Sequence, residues 1–434
     1  MSPVNSIISQ LSSVDYSFAH YYADNKKELE SNEAPIKPVY TYETTSKVAR
    51  IASEIFNWVL SFVFLPYGIY RLLHWVAGRH IVPAQTDPYA GILRKKLLKA
   101  LLGTPPRKFT YNNNNFRKSF MPHQKIAEHQ QNLKEADPET YSKHTSELLM
   151  AKRISVVVDG KKIDAMMFGK KGNLNNKKWV LVSNGNGSTL ESTLAFNSTT
   201  VVEQVNKLGF NFLIYNYQGI AGSEGWVTRN TMVNTHRGML RFLEDNKRGI
   251  GAKKIIQLGV SIGGGVQGQA MRAHKLLKSI KYVFVKYLTF SCISKVPRNP
   301  ILALLLRIFG WEFSSTYSSK RLEKKKKPEI VIQKAQKLNP SKASMIEGDG
   351  LIHKKSAHAY NLLSEKTKWK HKKFIGVSVQ HFETPKERIE RDKIINTIKE
   401  SLSRDYQGFD MDYRSRSHRD RTISSSKAKK ALVA

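Results

Sequence analysis

Lys254-Ile-Ile-Gln-Leu-Gly259-Val260-Ser261-Ile262-Gly263-Gly264-Gly265-Val266 is the stretch on which the reading of this chain turns. Residues 254–259 are apolar and β-prone and end on glycine; residues 266–277 carry a helical pattern. A serine between them, with glycines two positions to either side, sits at a sharp strand-to-helix turn. Small flanking residues are what such a strained turn requires. The hydroxyl is raised at the start of a helix, where the dipole and free N–H groups favour developing negative charge. Ser261 is therefore the candidate nucleophile.

Working outward, short apolar runs alternate with longer amphipathic stretches from about residue 151. Eight strands are expected, at 154–158, 163–168, 179–183, 211–216, 254–259, 281–285, 329–333 and 374–379. Asp159-Gly160 between the first two signals a hairpin. Helices are expected at 199–208 and 231–246. Strands alternating with helices argue for an α/β architecture, a mostly parallel sheet covered on both faces. The segment 291–328 holds an apolar run at 301–309 and a basic run at 324–327. It is read either as a lid or as a sheet-covering helix followed by a solvated loop.

A nucleophilic serine needs a base, and the base an orienting acid. In sheets of this kind the chain order is serine, acid, histidine. Asp349 is the one aspartate between Ser261 and His381. His353, His358, His371 and His381 follow it, and only His381 comes directly after a strand. The expected set is Ser261, Asp349 and His381. Backbone N–H donors for an oxyanion are expected at Ile262 and at Asn186, within Asn184-Gly185-Asn186-Gly187.

Tyr215-Asn-Tyr217-Gln-Gly219-Ile-Ala-Gly-Ser223-Glu-Gly225 resembles the tyrosine–glycine turn after the fourth strand of many serine esterases. Together with Asn184-Gly-Asn-Gly187, Gly-Val-Ser261-Ile-Gly-Gly and Asp349-Gly-Leu-Ile352, the chain is similar to the chlamydial CHLPS protein family of the α/β-hydrolase superfamily. The resemblance covers roughly 150–390 and also 64–74. It implies an α/β-hydrolase fold with the three residues placed as above and little about substrate. The ordered Ser261, Asp349 and His381 set with the apolar segment at 51–76 points to a hydrolase of ester, thioester or lipid substrates, the alternative being a non-catalytic, membrane-associated interaction protein on the same scaffold. Departures are Asn184 where many relatives carry histidine, Lys286-Tyr-Leu-Thr289-Phe290-Ser291 in place of a common Asp-Arg-Thr-Phe-Ser, and a long stretch from Ile332 to Asp349.

The rest of the 434 residues sets the context. A formal net charge of +36 points either to an anionic partner, nucleic acid or an acidic membrane surface, or simply to solvated Lys-rich faces. No aromatic RNA-binding motif accompanies the basic charge, which speaks against nucleic acid. The single cysteine, Cys292, excludes an intrachain disulfide and a Cys-based metal site. Neither an HExxH pair, a P-loop nor a dinucleotide fingerprint is present, so no metal or cofactor is expected. The start of the chain lacks the pattern of a cleaved signal peptide; a membrane-associated or cytoplasmic protein is expected.

Residues 1–50 read as a polar N-terminal region, 51–78 as an apolar segment, 79–150 as an extension containing a short helix at 91–102, 151–400 as the catalytic domain and 401–434 as a basic, disordered tail. The core of the apolar segment, 55–70, is shorter than the ~20 residues a spanning helix needs, and Pro66 and Gly68 interrupt it. Trp58, Tyr67, Tyr70 and Trp75 suit a membrane interface. Three readings stay open: a kinked span or re-entrant hairpin, a helix pair packed on the domain, or an apolar face for a partner.

Overall fold

The computed structural model describes residues 38–81, 149–170, 177–186, 190, 208–220, 223–297, 299–365, 367, 369–381, 385 and 387–403. The expected helix at 91–102, all of that at 199–208 but Leu208, Gly187, the side chain of Trp75 and the tail beyond residue 403 lie outside what is described.

The eight expected strands are present as β2 (Leu149–Val158), β3 (Lys161–Lys170), β4 (Lys178–Ser183), β5 (Asn211–Tyr215), β6 (Lys254–Val260), β7 (Lys281–Tyr287), β8 (Glu329–Lys334) and β9 (Lys372–Val377). A ninth, β1 (Tyr40–Tyr42), joins from the region read as polar N-terminal sequence. Three residues are too few to show a period. The strand exists because its backbone pairs with β2 at the sheet edge. The order is β1-β2-β3-β5-β4-β6-β7-β8-β9. Only β3 runs against the others, because the β2–β3 connection is a tight hairpin. Asp159 and Gly160 both adopt positive φ, 49° and 77°. That is the twist a two-residue hairpin turn demands, and aspartate and glycine tolerate it best.

The helices are α1 (Lys47–Val63), α2 (Leu65–Ile81), α3 (Arg229–Glu244), α4 (Ile262–Ala273), α5 (Pro300–Ile308), α6 (Ser315–Lys324), α7 (His358–Ser364) and α8 (Arg388–Ser403). Inner strands are apolar on both faces because both faces are covered. Trp179, Leu181, Tyr215, Ile255 and Phe284 point into one core with α3 and α4; Val180, Val182, Ile214, Ile256 and Val285 point into the other, with α8. Each such side chain, fully buried, contributes about 1.5–3 kcal/mol.

Of the two readings of 291–328, α6 follows the sheet-covering one. Ser315, Ser318, Ser319 and Leu322 are buried, and the Lys324–Lys326 loop is exposed. By contrast, α5 buries only Leu306 and leaves Ile301, Leu304 and Ile308 exposed.

The chain passes from β4 outward to β5 and then back across to β6 on the other side of β4. The loops leaving β4 and β6 therefore diverge at the carboxyl edge of the sheet. Such a reversal opens a crevice there, the usual place for a site in an open α/β sheet.

Candidate active site

Ser261 lies in that crevice, between the end of β6 and the first residue of α4, with φ 52° and ψ −116°. This is a costly conformation for a residue with a side chain, so the surroundings must impose it. Ser261 N–H donates to the Tyr287 carbonyl at 3.0 Å. Thr289 Oγ1 donates to the Ser261 carbonyl at 2.6 Å.

The glycines explain themselves by contact. A Cβ on Gly259 would lie 2.7 Å from Gly264 Cα, one on Gly263 2.1 Å from the Ser183 carbonyl oxygen, and one on Gly264 2.5 Å from Thr289 Oγ1. The turn can close against the end of β4 and the segment after β7 only because these positions carry no side chain.

His381 Nε2 lies 2.8 Å from Ser261 Oγ, and His381 Nδ1 lies 2.9 Å from Asp349 Oδ2. Asp349 is fixed by the turn it forms with Gly350. Its Oδ1 accepts from Leu351 N–H at 3.2 Å and Ile352 N–H at 2.8 Å, while Gly350 takes φ 91°. Oδ2 is thereby turned towards the imidazole. The backbone adds a second tie, His381 N–H to the Asp349 carbonyl at 2.8 Å. The long Ile332–Asp349 excursion is folded back by an Ala335–Ile346 bridge and by Glu347 N–H on the Lys334 carbonyl at 2.9 Å. Ser261, Asp349 and His381 are all buried. With Asp349 accepting the Nδ1–H, Nε2 is the nitrogen that accepts from the serine hydroxyl.

The other histidines lie elsewhere. His353 is exposed and caps a short turn. His358 is buried beside Ser319, and His371 precedes β9 with its N–H on Glu323.

Ile262 N–H belongs to the first turn of α4, where helical amides lack an intrahelical acceptor. Gly185 packs beside Ser261; a Cβ there would meet Ser261 Cβ at an ordinary 3.7 Å. Asn186, next along, is exposed.

A buried polar network that sequence reasoning missed holds this loop. Tyr217 OH donates to the Asn184 carbonyl at 3.1 Å, and Asn184 Nδ2 donates to the Tyr215 carbonyl at 3.3 Å. Behind it, Ser183 Oγ, Tyr215 OH and His236 Nδ1 lie 2.7–2.8 Å from one another, and His236 Nε2 donates to Gln257 Oε1 at 3.0 Å. Burial pushes the His236 pKa down to about 4, against the opposing pull of the Gln257 hydrogen bond.

A second unread feature is ionic. Glu329 bridges Lys286 at 2.8 Å and Lys372 at 2.7 Å, all three side chains fully enclosed. Burial alone would raise the Glu329 pKa; the two ammonium groups outweigh it and hold the carboxyl far below its usual range. Lys286 also donates to Ser318 Oγ and Ser319 Oγ, so the cluster joins β7, β8 and β9 to α6. A lysine amid the apolar residues of β7 was the available signal.

The parallel sheet with its antiparallel β3, the reversal at β4 and the serine turn after β6 define an α/β-hydrolase fold. The chain belongs to the family described as Chlamydia CHLPS protein (DUF818), whose pattern it matches over residues 37–403. Similar solved structures include an esterase from Pyrococcus furiosus, at 15% identity over 58% of this chain and 92% of that one, with a TM-score of 0.43. An α/β hydrolase from Vibrio vulnificus is similar at 16% identity, over 58% and 81%, with a TM-score of 0.43. Est1E from Butyrivibrio proteoclasticus, bound to ferulic acid, is similar at 14% identity, over 58% and 100%, with a TM-score of 0.40. No curated protein matches the chain.

Proposed function

We propose that this protein is a serine hydrolase that cleaves ester or thioester bonds, lipid esters among them. The observation that carries the reading is the continuous hydrogen-bond chain Ser261 Oγ–His381 Nε2, His381 Nδ1–Asp349 Oδ2. His381 Nε2 takes the Ser261 proton as Oγ attacks the acyl carbonyl carbon. The carbonyl oxygen becomes an oxyanion held by the N–H groups of Ile262 and Asn186. Asp349 keeps the imidazole in the required tautomer and stabilises the imidazolium. His381 then protonates the departing alcohol or thiol. Water, deprotonated by the same nitrogen, attacks the acyl carbon; the C–Oγ bond then breaks, the acid leaves, and Ser261 Oγ takes the proton back from His381 Nε2.

Labelling with a fluorophosphonate probe tests this. The native protein is expected to label at Ser261 and Ser261→Ala is not. Equal labelling of both, or none of the folded native chain, would sink the reading. In the second case the family scaffold would serve as a membrane-associated binding protein without catalysis. Under both readings the exposed apolar residues of α1 and α2 and the +36 charge support a working position at an acidic membrane surface.

A further inference from the structure

The polarity of the α1–α2 pair is inside out. The seam between the helices is polar: Tyr67 OH donates to Asn57 Oδ1 at 2.8 Å, and Arg71 Nη1 donates to the Asn57 carbonyl at 2.8 Å and to Ser61 Oγ at 2.9 Å. The Arg71 guanidinium also lies over the Trp58 ring, 5.4 Å from its centroid. Gly68 makes the close approach possible, since a Cβ there would sit 2.5 Å from the Ser61 carbonyl oxygen. The outer surface is apolar. No residue of α1 is buried. Phe62, Val63 and Leu65, about the turn, are 77%, 80% and 68% exposed, and Ile55, Phe56, Val59, Ile69 and Leu72 are exposed too.

A helix pair built for water turns these faces the other way. Polar groups satisfied against one another, with hydrocarbon facing out, is the arrangement a lipid solvent selects.

Among the described residues no single helix is long and apolar enough to cross a membrane; only the two together have that length and composition, and they are bent by 117° at their break, the shape of a broken span or a re-entrant loop. That break is at Phe64; Pro66 falls in the first turn of α2, where a missing N–H costs little.

Both ends of the pair are tied to the same body. Four residues separate α1 from β1, an edge strand of the main sheet. Near residue 74, α2 docks on the segment after α5. Trp311 Nε1 donates to the His74 carbonyl at 3.0 Å, the two rings stack 5.5 Å apart, and His74 Nδ1 bonds the Phe309 carbonyl. The pair therefore leaves the hydrolase body and returns to it.

We infer that α1 and α2 form a one-sided membrane anchor, a hairpin whose turn at 62–65 enters the hydrocarbon of an acidic bilayer from the face on which the hydrolase body sits. The acidic surface is selected by the net charge of +36, with Lys47 at the base of the hairpin; Arg50 beside it is ion-paired with Glu43. The exposed row Ile301, Leu304 and Ile308 of α5, whose chain runs directly into the dock, has the same character. This inference does not depend on the role of Ser261.

Flotation of the full chain tests it, with vesicles of phosphatidylcholine alone and of equimolar phosphatidylcholine and phosphatidylglycerol. The chain is expected to float with the acidic vesicles. The variant Val63→Asp/Leu65→Asp, altered only at exposed positions and checked for an unchanged melting temperature, is expected to float at least tenfold less. In a Cys292→Ser background, a fluorophore at Phe64→Cys is expected to be quenched by nitroxide on the lipid acyl chains. One at Lys47→Cys is expected to stay open to a water-soluble quencher added only outside the vesicles. No flotation with either vesicle overturns the inference and leaves a protein partner to cover the face. Flotation untouched by the double substitution overturns it in favour of charge elsewhere in the chain. A Lys47→Cys fluorophore shielded from the external quencher overturns it in favour of a span.

Discussion

Gly263 is pressed against Ser183: a methyl group at position 263 would stand 2.1 Å from the Ser183 carbonyl oxygen and 2.8 Å from that of Asn184. Backbone cannot yield as a flexible side-chain end can, so Gly263→Ala is expected to destabilise by at least 1–3 kcal/mol, the range for overpacking. Gly185→Ala, whose new atom meets ordinary 3.7 Å contacts, is expected to cost markedly less. Denaturant titration of the two variants side by side checks the difference; equal losses would contradict the packing argument.

The hydrogen-bonded order Ser261, His381, Asp349 predicts non-additive losses. Ser261→Ala and His381→Ala are each expected to lower kcat on an ester substrate by about three orders of magnitude or more, and the double variant to be no worse than either. Asp349→Asn is expected to lose less. Additive losses would mean that the side chains do not act as a unit.

Tyr217 reaches the loop on which Asn186 sits through the Asn184 carbonyl. Tyr217→Phe removes one buried hydrogen bond, worth about 1 kcal/mol. With Asn186 N–H as the proposed oxyanion donor, kcat is expected to fall with KM little changed. A variant that lost only stability would show Tyr217 to be structural.

His236 is buried neutral, with its pKa lowered from 6.5 to about 4. The unfolded chain binds this proton first, so the stabilisation is complete above about pH 6.5 and is lost as pH falls towards 4. The loss attributable to this group is about 3 kcal/mol. His358, also held neutral by burial, acts in the same direction. Unfolding midpoints measured from neutral pH down to about 4 are expected to fall less steeply for His236→Gln than for the native chain.

Glu329→Gln strips the charge that compensates two enclosed ammonium groups. A broken buried ion pair costs about 3–5 kcal/mol, and a loss of that size is expected in the melting of the full chain. Adding Lys286→Met is expected to restore part of it.

The sequence by itself determined the features that are local. Hydrophobic runs of strand length place eight strands, Asp159-Gly160 places the hairpin, and Gly259-Val-Ser261-Ile-Gly263 places the serine turn, because each depends on the backbone preferences of neighbouring residues. Chain order then narrowed the acid to Asp349 and the base to a histidine after a strand. Only the tertiary structure brings His381 to Ser261 across 120 residues of chain, and turns Asp349 Oδ2 towards it. β1 was illegible because an edge strand of three residues is made by its partner. The His236 network was illegible, and of the ionic cluster only Lys286, set among the apolar residues of β7, gave a signal, because burial of a polar side chain depends on what packs over it. The apolar segment was visible from the start. Its inside-out polarity was not, because that depends on which face of α1 meets α2, a matter of contact between helices and not of composition.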